Sequence, residues 1–207
     1  MSSLMDPDNE ALSTWREVCP ACRYPRKVCI CADIEPVSTT VSVSVMQDPS
    51  EVKHAKNTAR LIPLLMRSVQ LTTGILPSDF KPIRERVQRS QRSLVLFPQS
   101  RAKPVQDFAN LAVRVDHLIL LDGTWRKAKK LWLNNPWLHA LDCAIVTTGK
   151  TEYVMRKAPF NGTLSTLEAA GIALGVIDGT PMLPFNRALA ALQQRWFAFA
   201  PEPHNTP

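Results

Sequence analysis

A short apolar run that ends in an acidic turn places the strongest constraint on the fold of this chain. Residues 118–121 read Leu-Ile-Leu-Leu and pass directly into Asp122, Gly123, Thr124 and Trp125, after which a basic segment begins. A continuous apolar run of this length predicts a buried strand, and the segment after the turn predicts a helix. The pattern therefore places a carboxylate at the carboxyl end of a strand, where open α/β sheets bind their ligands.

Four further segments have the pattern of strands. Residues 41–45 alternate valine with serine, residues 94–97 and 144–146 are short apolar runs, and residues 68–72 predict a short additional strand. Helical segments lie between these strands. Strands that alternate with helices predict an α/β protein with a mainly parallel sheet that is covered by helices on both faces.

Six segments are predicted to be helical from their periodicity and their boundary residues. Ser165 and Glu168 have the spacing of a capping box, and in the helix after Gly123 the residues Trp125 and Leu131 fall on one apolar face. We therefore interpret Trp125 as a core residue rather than as an exposed stacking platform. The predicted helices lie at residues 51 onward with an interruption at Pro63, 83–92, 105–113, 124–133, 165–176 and 185–199.

Most of the cysteines are clustered near the start of the chain. Four of the five lie within thirteen residues: Cys19, Cys22, Cys29 and Cys31. Tetrahedral zinc takes four thiolate ligands, and a C-x2-C turn followed by a short loop supplies them. A redox dithiol and unliganded core cysteines are the alternatives, and we favour structural zinc in residues 16–36, the cysteine knuckle. The fifth, Cys143, lies in an apolar segment and is expected to be an inert core residue.

The net charge of +7 favours an anionic partner. Nucleic acid and an anionic membrane surface are the candidate partners, and because the cations are clustered we favour a nucleic-acid partner over a generic positive charge on a soluble protein. One cluster, Lys53, Lys56 and Arg60, has the spacing of a single helical face. No apolar run approaches a membrane span of about 20 residues, and the polar start is unlike a signal peptide, so a cytoplasmic protein is expected. The expected organisation is a loose lead-in at residues 1–15, the cysteine knuckle, a main domain at residues 37–200 and a tail at residues 201–207.

Three loops at predicted strand ends are candidates for chemistry, at residues 98–100, 122–125 and 147–166. The third is long and rich in cations, glycine and hydroxyl groups, and long ordered loops are usually functional. Glycine-rich motifs for dinucleotides or nucleoside triphosphates are absent from the sequence, so these ligands are not indicated. Asp122 has two open interpretations, as the cap of the helix that begins at Gly123 or as a catalytic group.

Several pieces, in order along the chain, carry a resemblance to a known family. They are the four-cysteine cluster, Gln47-x-Pro49-x-Glu51, Asn57-Thr58-Ala59-Arg60, Leu96-Phe97-Pro98, Leu121-Asp-Gly-Thr-Trp125-x-x-Ala128-Lys129, Arg156-Lys157 and Leu164-Ser-Thr-x-Glu168-Ala169. Over about residues 19–176 the chain resembles the DTW-domain proteins. These proteins are tRNA-uridine aminocarboxypropyltransferases related to the SPOUT-like knotted fold. The resemblance of this chain is to their bacterial type. One position departs from the expected pattern, because Asp48 stands where a histidine is expected.

The resemblance implies that S-adenosylmethionine donates its 3-amino-3-carboxypropyl group to N3 of a tRNA uridine in the variable loop, releasing methylthioadenosine. Asp122 is then expected to accept the N3 proton or to orient the uracil through it. An RNA methyltransferase on the same scaffold and a non-catalytic, zinc-stabilised RNA-binding protein are the alternatives. No membrane and no obligatory protein partner are indicated.

The residues expected at the site fall into four groups. They are Asp122, Thr124 and Trp125 for catalysis; Phe97, Pro98, Ser100, Leu121, Asp122, Gly123, Leu164, Ser165 and Thr166 around the donor; Cys19, Cys22, Cys29 and Cys31 for zinc; and Arg60, Arg126, Lys130, Arg156 and Lys157 for tRNA phosphates.

Overall fold

The computed structural model describes residues 17–54, 56–147 and 164–199. The strands among these residues are β1 Ser42–Gln47, β2 Val69–Thr73, β3 Ser93–Leu96, β4 Lys103–Pro104, β5 His117–Asp122 and β6 Asp142–Ile145. The helices are α1 Ile62–Leu65, α2 Lys81–Arg89, α3 Trp125–Asn134, α4 Thr166–Asp178 and α5 Leu183–Phe199. Short 3-10 helices lie at Arg26–Val28, Cys31–Asp33, Pro49–Glu51, Ala59–Leu61, Val105–Phe108 and Pro136–Ala140.

The described strands form one sheet in the order β2-β1-β5-β3-β6-β4. Every neighbouring pair is parallel, so the carboxyl ends of all six strands lie at the same edge. This arrangement confirms the predicted α/β class with a parallel sheet. Among the described helices, none is long and apolar enough to cross a membrane.

Side chains of the central strand β5 alternate between two hydrophobic layers. Leu118 and Leu120 belong to a cluster that also contains residues of α4, α5 and the cysteine knuckle, whereas Ile119 belongs to a second cluster with residues of α2 and α3. Successive residues of a strand point to opposite faces of the sheet. Both faces are therefore covered by helices, as the sequence predicts.

The five predicted strands are confirmed, with boundaries shifted by one or two residues. The sixth strand, β4, was not predicted, because its two residues, Lys103 and Pro104, are exposed and carry no apolar pattern. Proline at this position fits the edge of a sheet, where its missing N–H leaves no ladder hydrogen bond unmade.

Two of the helix predictions are wrong in extent. The segment from residue 51 contains only 3-10 turns before α1, and Pro63 lies in the first turn of α1 rather than interrupting a helix. Lys53, Lys56 and Arg60 therefore do not share a helical face. The segment lacks an apolar stripe that a helix could bury, and Val52 is exposed. Helix at residues 105–113 is likewise reduced to the 3-10 turn Val105–Phe108.

The capping box at the start of α4 is confirmed. Ser165 Oγ accepts a hydrogen bond from the Glu168 N–H at 3.2 Å, and Glu168 Oε2 accepts one from the Ser165 N–H at 2.7 Å. Gly179, with a φ of 74°, ends this helix in the left-handed conformation that favours glycine. The cap fixes the first turn of α4, and thereby Thr166, at the carboxyl edge of the sheet.

A buried histidine lies at the opposite, amino end of the sheet. His117 is fully buried, with Nδ1 2.9 Å from Ser93 Oγ and Nε2 2.8 Å from Ser44 Oγ. Burial, together with the charge of Arg86, lowers the pKa of His117 to about 4. The imidazole is therefore neutral in the folded protein at neutral pH.

This pKa predicts that acid destabilises the fold before the carboxylates titrate. The unfolded chain binds the histidine proton near its ordinary value of 6.5, well above the folded pKa. Stability is therefore complete above about pH 6.5 and falls by up to about 3 kcal/mol as the pH drops toward about 4. Urea unfolding from about pH 7 to about pH 4.5 measures this loss. The variant His117→Gln should flatten it, and an equally steep loss in that variant would contradict the assignment.

Candidate active site

The centre of the candidate site is formed by the ends of two neighbouring parallel strands. Gln47, the last residue of β1, pairs in register with Asp122, the last residue of β5. Gln47 Nε2 donates a hydrogen bond to Asp122 Oδ2 at 2.9 Å. The predicted acidic strand end is thus confirmed, and the sheet adds a partner that the sequence analysis did not assign.

Asp122 is held by three side chains from three different segments. Besides the bond from Gln47, its Oδ2 accepts a hydrogen bond from Asn57 Nδ2 at 2.8 Å, and its Oδ1 accepts one from Thr166 Oγ1 at 2.6 Å. The residue is only 4% exposed. A carboxylate offers about four acceptor positions, so these three partners fix its orientation and leave about one position, on Oδ1, for a further donor.

The interpretation of Asp122 as a helix cap is wrong. The N-cap of α3 is Thr124, which is two residues further along the chain, and the Thr124 side chain makes no capping hydrogen bond. The carboxylate of Asp122 instead points to Gln47, Asn57 and Thr166. From the local sequence, a carboxylate that precedes a helix is expected to cap it. The end of the neighbouring strand offers Asp122 better hydrogen-bond donors, and only the order of the strands in the sheet brings them within reach.

A polar cavity of about 180 Å³ adjoins this carboxylate. It combines residues that were predicted for the site with residues that were not. Four lining residues were predicted: Asp122, Thr124, Ser165 and Thr166. Six were not predicted for the site: Glu51, His54, Lys56, Asn57, Thr58 and Lys127. Most of the second group lie in the segment that was wrongly predicted to be helical.

Opposite charges meet on one wall of the cavity. Lys127 Nζ lies 2.7 Å from Glu51 Oε1, with the carboxylate buried and the ammonium half-buried. Gly123 allows this arrangement, because a Cβ at that position would lie 2.8 Å from Lys127 Cβ. The glycine of the acidic turn is therefore needed for the close approach of the first turn of α3.

Replacing Gly123 by alanine is expected to displace Lys127 from Glu51 and to lower turnover by about 10- to 100-fold, because small displacements in a site are costly. The same displacement leaves the buried Glu51 carboxylate without its ion-pair partner, so the melting temperature should also fall by a few degrees. Turnover and thermal unfolding measure the two effects. The control is Gly179→Ala, which should cost about 1 kcal/mol of stability through its left-handed backbone and leave turnover unchanged. Normal turnover in Gly123→Ala would contradict the requirement for close approach.

Asp48, the position that departs from the family pattern, caps the turn that follows β1. Its Oδ1 accepts hydrogen bonds from the Ser50 N–H at 3.0 Å and from Ser50 Oγ at 2.6 Å. Burial raises the pKa of Asp48, but these bonds and the charges of Lys127 and Lys130 outweigh it, so the pKa is lowered. Asp48 therefore fixes the turn that follows β1.

A stack of aromatic rings adjoins the site on the β3 side. Phe97 is buried between Trp125 and Trp132, with ring centroids 5.3 Å and 5.1 Å apart. Trp125 is 57% exposed, so its interpretation as a core residue is wrong. The buried face of α3 begins one turn later, at Ala128, and the first residue of the helix lies outside it.

The other predicted site residues are placed as follows. Phe97, Pro98, Ser100, Leu121, Gly123 and Leu164 do not line the cavity beside Asp122, and Pro98 and Ser100 are exposed. Arg126 and Lys130 are exposed on α3. Arg60 donates hydrogen bonds to three backbone carbonyls. Arg156 and Lys157 lie outside the described residues.

The four clustered cysteines are brought together. Their Sγ atoms all lie within 4.8 Å of one another, and the distance is 3.7 Å both between Cys19 and Cys31 and between Cys22 and Cys29. In tetrahedral coordination with Zn–S bonds of about 2.3 Å, neighbouring sulfurs lie about 3.8 Å apart. The geometry therefore fits a zinc ion bound by four thiolates.

The thiols of the cluster differ in their pKa values. A hydrogen bond from the backbone of Cys22 lowers the pKa of the Cys19 thiol to about 6. Burial and the neighbouring thiols raise the pKa of Cys31 to about 12. Without a cation the Cys31 thiol therefore keeps its proton at neutral pH, and a bound zinc ion would displace that proton.

Fold and site together define an α/β domain with a polar cavity at the carboxyl edge of a parallel sheet and a four-cysteine cluster. The family model described as DTW domain matches residues 16–199, so this chain belongs to the DTW-domain family. The recognition made from the sequence is thereby confirmed. No solved structure matches the chain significantly.

Curated relatives carry a consistent name. The chain is 29% identical over 191 residues to tRNA-uridine aminocarboxypropyltransferase 2 of Drosophila melanogaster, covering 86% of this chain and 71% of the relative. It is 29% identical over 180 residues to the mouse protein of that name, covering 79% and 57% of the two chains. To tRNA-uridine aminocarboxypropyltransferase A of Arabidopsis thaliana it is 26% identical over 205 residues, covering 79% and 73%. The chain thus spans little more than half the length of the mouse relative.

Proposed function

We propose that this protein is a tRNA-modifying transferase that moves the 3-amino-3-carboxypropyl group of S-adenosylmethionine to N3 of a tRNA uridine. The observation that carries the proposal is the buried Asp122, fixed beside a polar cavity in the D-G-T-W segment of a chain that belongs to the DTW-domain family. The names of the curated relatives support the transfer of an aminocarboxypropyl group to a tRNA uridine. The SPOUT-like knot, the variable-loop uridine, the cytoplasmic location and the domain bounds given above stay predictions.

The reaction forms a bond between uridine N3 and the γ-carbon of the donor's amino-acid arm. The C–S bond of the sulfonium breaks, its electron pair stays on sulfur, and the N3 proton leaves the base. The sulfonium supplies the electrophile, so the protein has to orient the arm and accept the proton. Asp122 is the group proposed to take or orient that N3–H, because it is a fixed carboxylate that lines the cavity.

The charged wall of the cavity suits the other end of the donor's arm, which carries an ammonium and a carboxylate. Glu51 offers the buried negative charge and Lys127 the positive one. Thr166, at the capped start of α4, adds a hydroxyl beside Asp122. Recognition of a zwitterion by one pair of opposite charges would fix the direction of the arm and thereby aim its γ-carbon.

The remaining predicted residues are proposed to surround the rest of the substrates. The exposed ring of Trp125 offers a stacking face for a planar base, with Thr124 beside it. Arg126 and Lys130 are exposed on α3 outside the cavity, and they are proposed to hold tRNA phosphates. The residues proposed to contact the donor are Phe97, Pro98, Ser100, Leu121, Gly123, Leu164 and Ser165.

The cysteine knuckle is proposed to hold zinc through Cys19, Cys22, Cys29 and Cys31. Four thiolate ligands complete a tetrahedral site and leave no open position for substrate. The metal would therefore stabilise the fold and not take part in the transfer.

Mass spectrometry of nucleosides tests the proposal after the purified protein has been incubated with unmodified tRNA and S-adenosylmethionine. A uridine that gains the mass of the aminocarboxypropyl group is the expected product. A gain of a methyl group would instead indicate a methyltransferase. An unmodified tRNA that nevertheless binds would indicate an RNA-binding protein without this activity.

A further inference from the structure

We propose that Tyr24 and Arg60 are positioning residues that attach the Asp122 site to the cysteine knuckle, so that the metal-bound knuckle holds the site in its working geometry. The knuckle is distant from Asp122 along the chain but adjoins the segment that carries Asn57. Two side chains cross that boundary.

Tyr24 makes the first link. The residue is fully buried, and its hydroxyl donates a hydrogen bond to the backbone carbonyl of Asn57 at 2.5 Å. Its own carbonyl accepts a hydrogen bond from the Cys19 N–H at 2.8 Å. The Tyr24 backbone is thus hydrogen-bonded to Cys19, a proposed zinc ligand. The Tyr24 hydroxyl is hydrogen-bonded to Asn57, which contacts Asp122.

Arg60 makes the second link from the opposite side of the boundary. Its Nη1 donates to the Arg23 carbonyl at 2.9 Å, and its Nη2 donates to the carbonyls of Val52 at 3.0 Å and of His54 at 2.9 Å. The guanidinium also lies 4.7 Å from the centre of the Tyr24 ring. A planar group with several N–H donors can join these carbonyls at once, which a lysine ammonium cannot reproduce.

The knuckle backbone at this point depends on the cysteine cluster. Arg23, which follows Cys22, has a φ of 61°, a conformation that a non-glycine residue adopts only when its surroundings hold it. Its N–H donates to the Cys19 carbonyl at 2.9 Å. An ion that gathers the thiols of Cys19 and Cys22 therefore also holds the Arg23 carbonyl where Arg60 reaches it.

The links end at the candidate catalytic group. The side chain of Asn57 donates to Asp122 Oδ2 at 2.8 Å and accepts from the Arg60 N–H at 3.2 Å. A displacement of Asn57 would remove one of the donors that fix the carboxylate. The cysteine knuckle is thus connected to Asp122 through a continuous set of hydrogen bonds.

This role differs from the tRNA-phosphate contact predicted for Arg60. Most of the guanidinium donors of Arg60 are already engaged by backbone carbonyls. A substitution that changes the shape of this side chain should therefore lower turnover more than one that changes its charge. The inference rests on the proposed function where turnover is measured, while hydrogen exchange tests the connection by itself.

Two conservative variants of the zinc-loaded chain of 207 residues test it. Tyr24→Phe removes only the hydroxyl, and Arg60→Lys keeps the charge but loses the fork. The matched control is Arg26→Lys, since Arg26 lies on the same knuckle and pairs at 3.1 Å with the exposed Glu17. The measurements are bound zinc, kcat and KM, and amide exchange at Arg60, whose N–H donates to the Asn57 side chain.

Both variants are expected to keep their zinc, to lose about 10- to 100-fold in kcat and to show faster amide exchange at Arg60. Removing a residue that supports the residues of a site typically has an effect of this size. The control should match the wild type. Full turnover with unchanged exchange would overturn the proposal, and so would a loss of turnover that merely parallels a loss of zinc. If the wild type transfers nothing, the proposed function fails, and the exchange data alone decide whether the knuckle and the site are connected.

Discussion

Replacing Asp122 by asparagine is expected to leave the fold intact and to abolish transfer, with a fall in turnover of about 10²- to 10⁴-fold. The amide can keep all present hydrogen bonds. Its oxygen can accept from Gln47 and Asn57 while its NH₂ group faces the Thr166 hydroxyl, which can rotate to accept. The charge and the ability to accept a proton are lost, and these are the properties that the reaction requires. Nucleoside mass spectrometry measures the product, and thermal unfolding measures the fold.

The matched control for this variant is Asp116→Asn, at the residue that directly precedes β5. Asp116 also accepts hydrogen bonds from a hydroxyl, that of Ser90, and from the backbone N–H groups of Gln91 and Arg92. Its loss should lower stability and leave turnover unchanged, since it lies away from the cavity. Turnover that persists in Asp122→Asn would contradict the proposed role, whatever the control shows.

Removing one thiolate, in Cys22→Ser, is expected to lower the stability of the protein by more than about 3 kcal/mol, because metal-binding free energy is folding free energy. Cys22 is fully buried, and the neighbouring Tyr24, Val28 and Ile30 belong to the main hydrophobic cluster. The knuckle is therefore part of the core rather than an appendage. The melting temperature should fall by about 10 °C, and bound zinc should fall from one ion per chain toward none.

The control is Cys143→Ser, since Cys143 is also buried but lies outside the four-cysteine cluster. Its sulfur lies 3.8 Å from the Leu141 carbonyl, which a serine hydroxyl can also contact. This variant should keep its zinc and lose only about 1 kcal/mol, as ordinary single substitutions do. If Cys22→Ser keeps both its zinc and its melting temperature, the cluster does not bind metal through that residue.

Local patterns along the chain were sufficient for the α/β class, for most strands and helices, for the capping box at Ser165 and for the cysteine cluster. Each of these depends on residues that are close in sequence, such as the apolar run of β5 or the C-x2-C spacing. The sequence also indicated that Asp122 lies at a strand end, which the fold confirms. The edge strand β4 was missed because two exposed residues carry no periodic pattern.

The partners of Asp122 depended on the tertiary structure. Gln47, Asn57 and Thr166 each lie far from Asp122 along the chain, and no spacing rule relates them to it. Parallel pairing of β1 with β5 brings Gln47 into contact with Asp122. The turns after β1 bring Asn57 to it, and the cap of α4 brings Thr166. The exposure of Trp125 also depended on the tertiary structure. Periodicity defines the apolar face of a helix, but it does not show at which residue the core begins to cover that face.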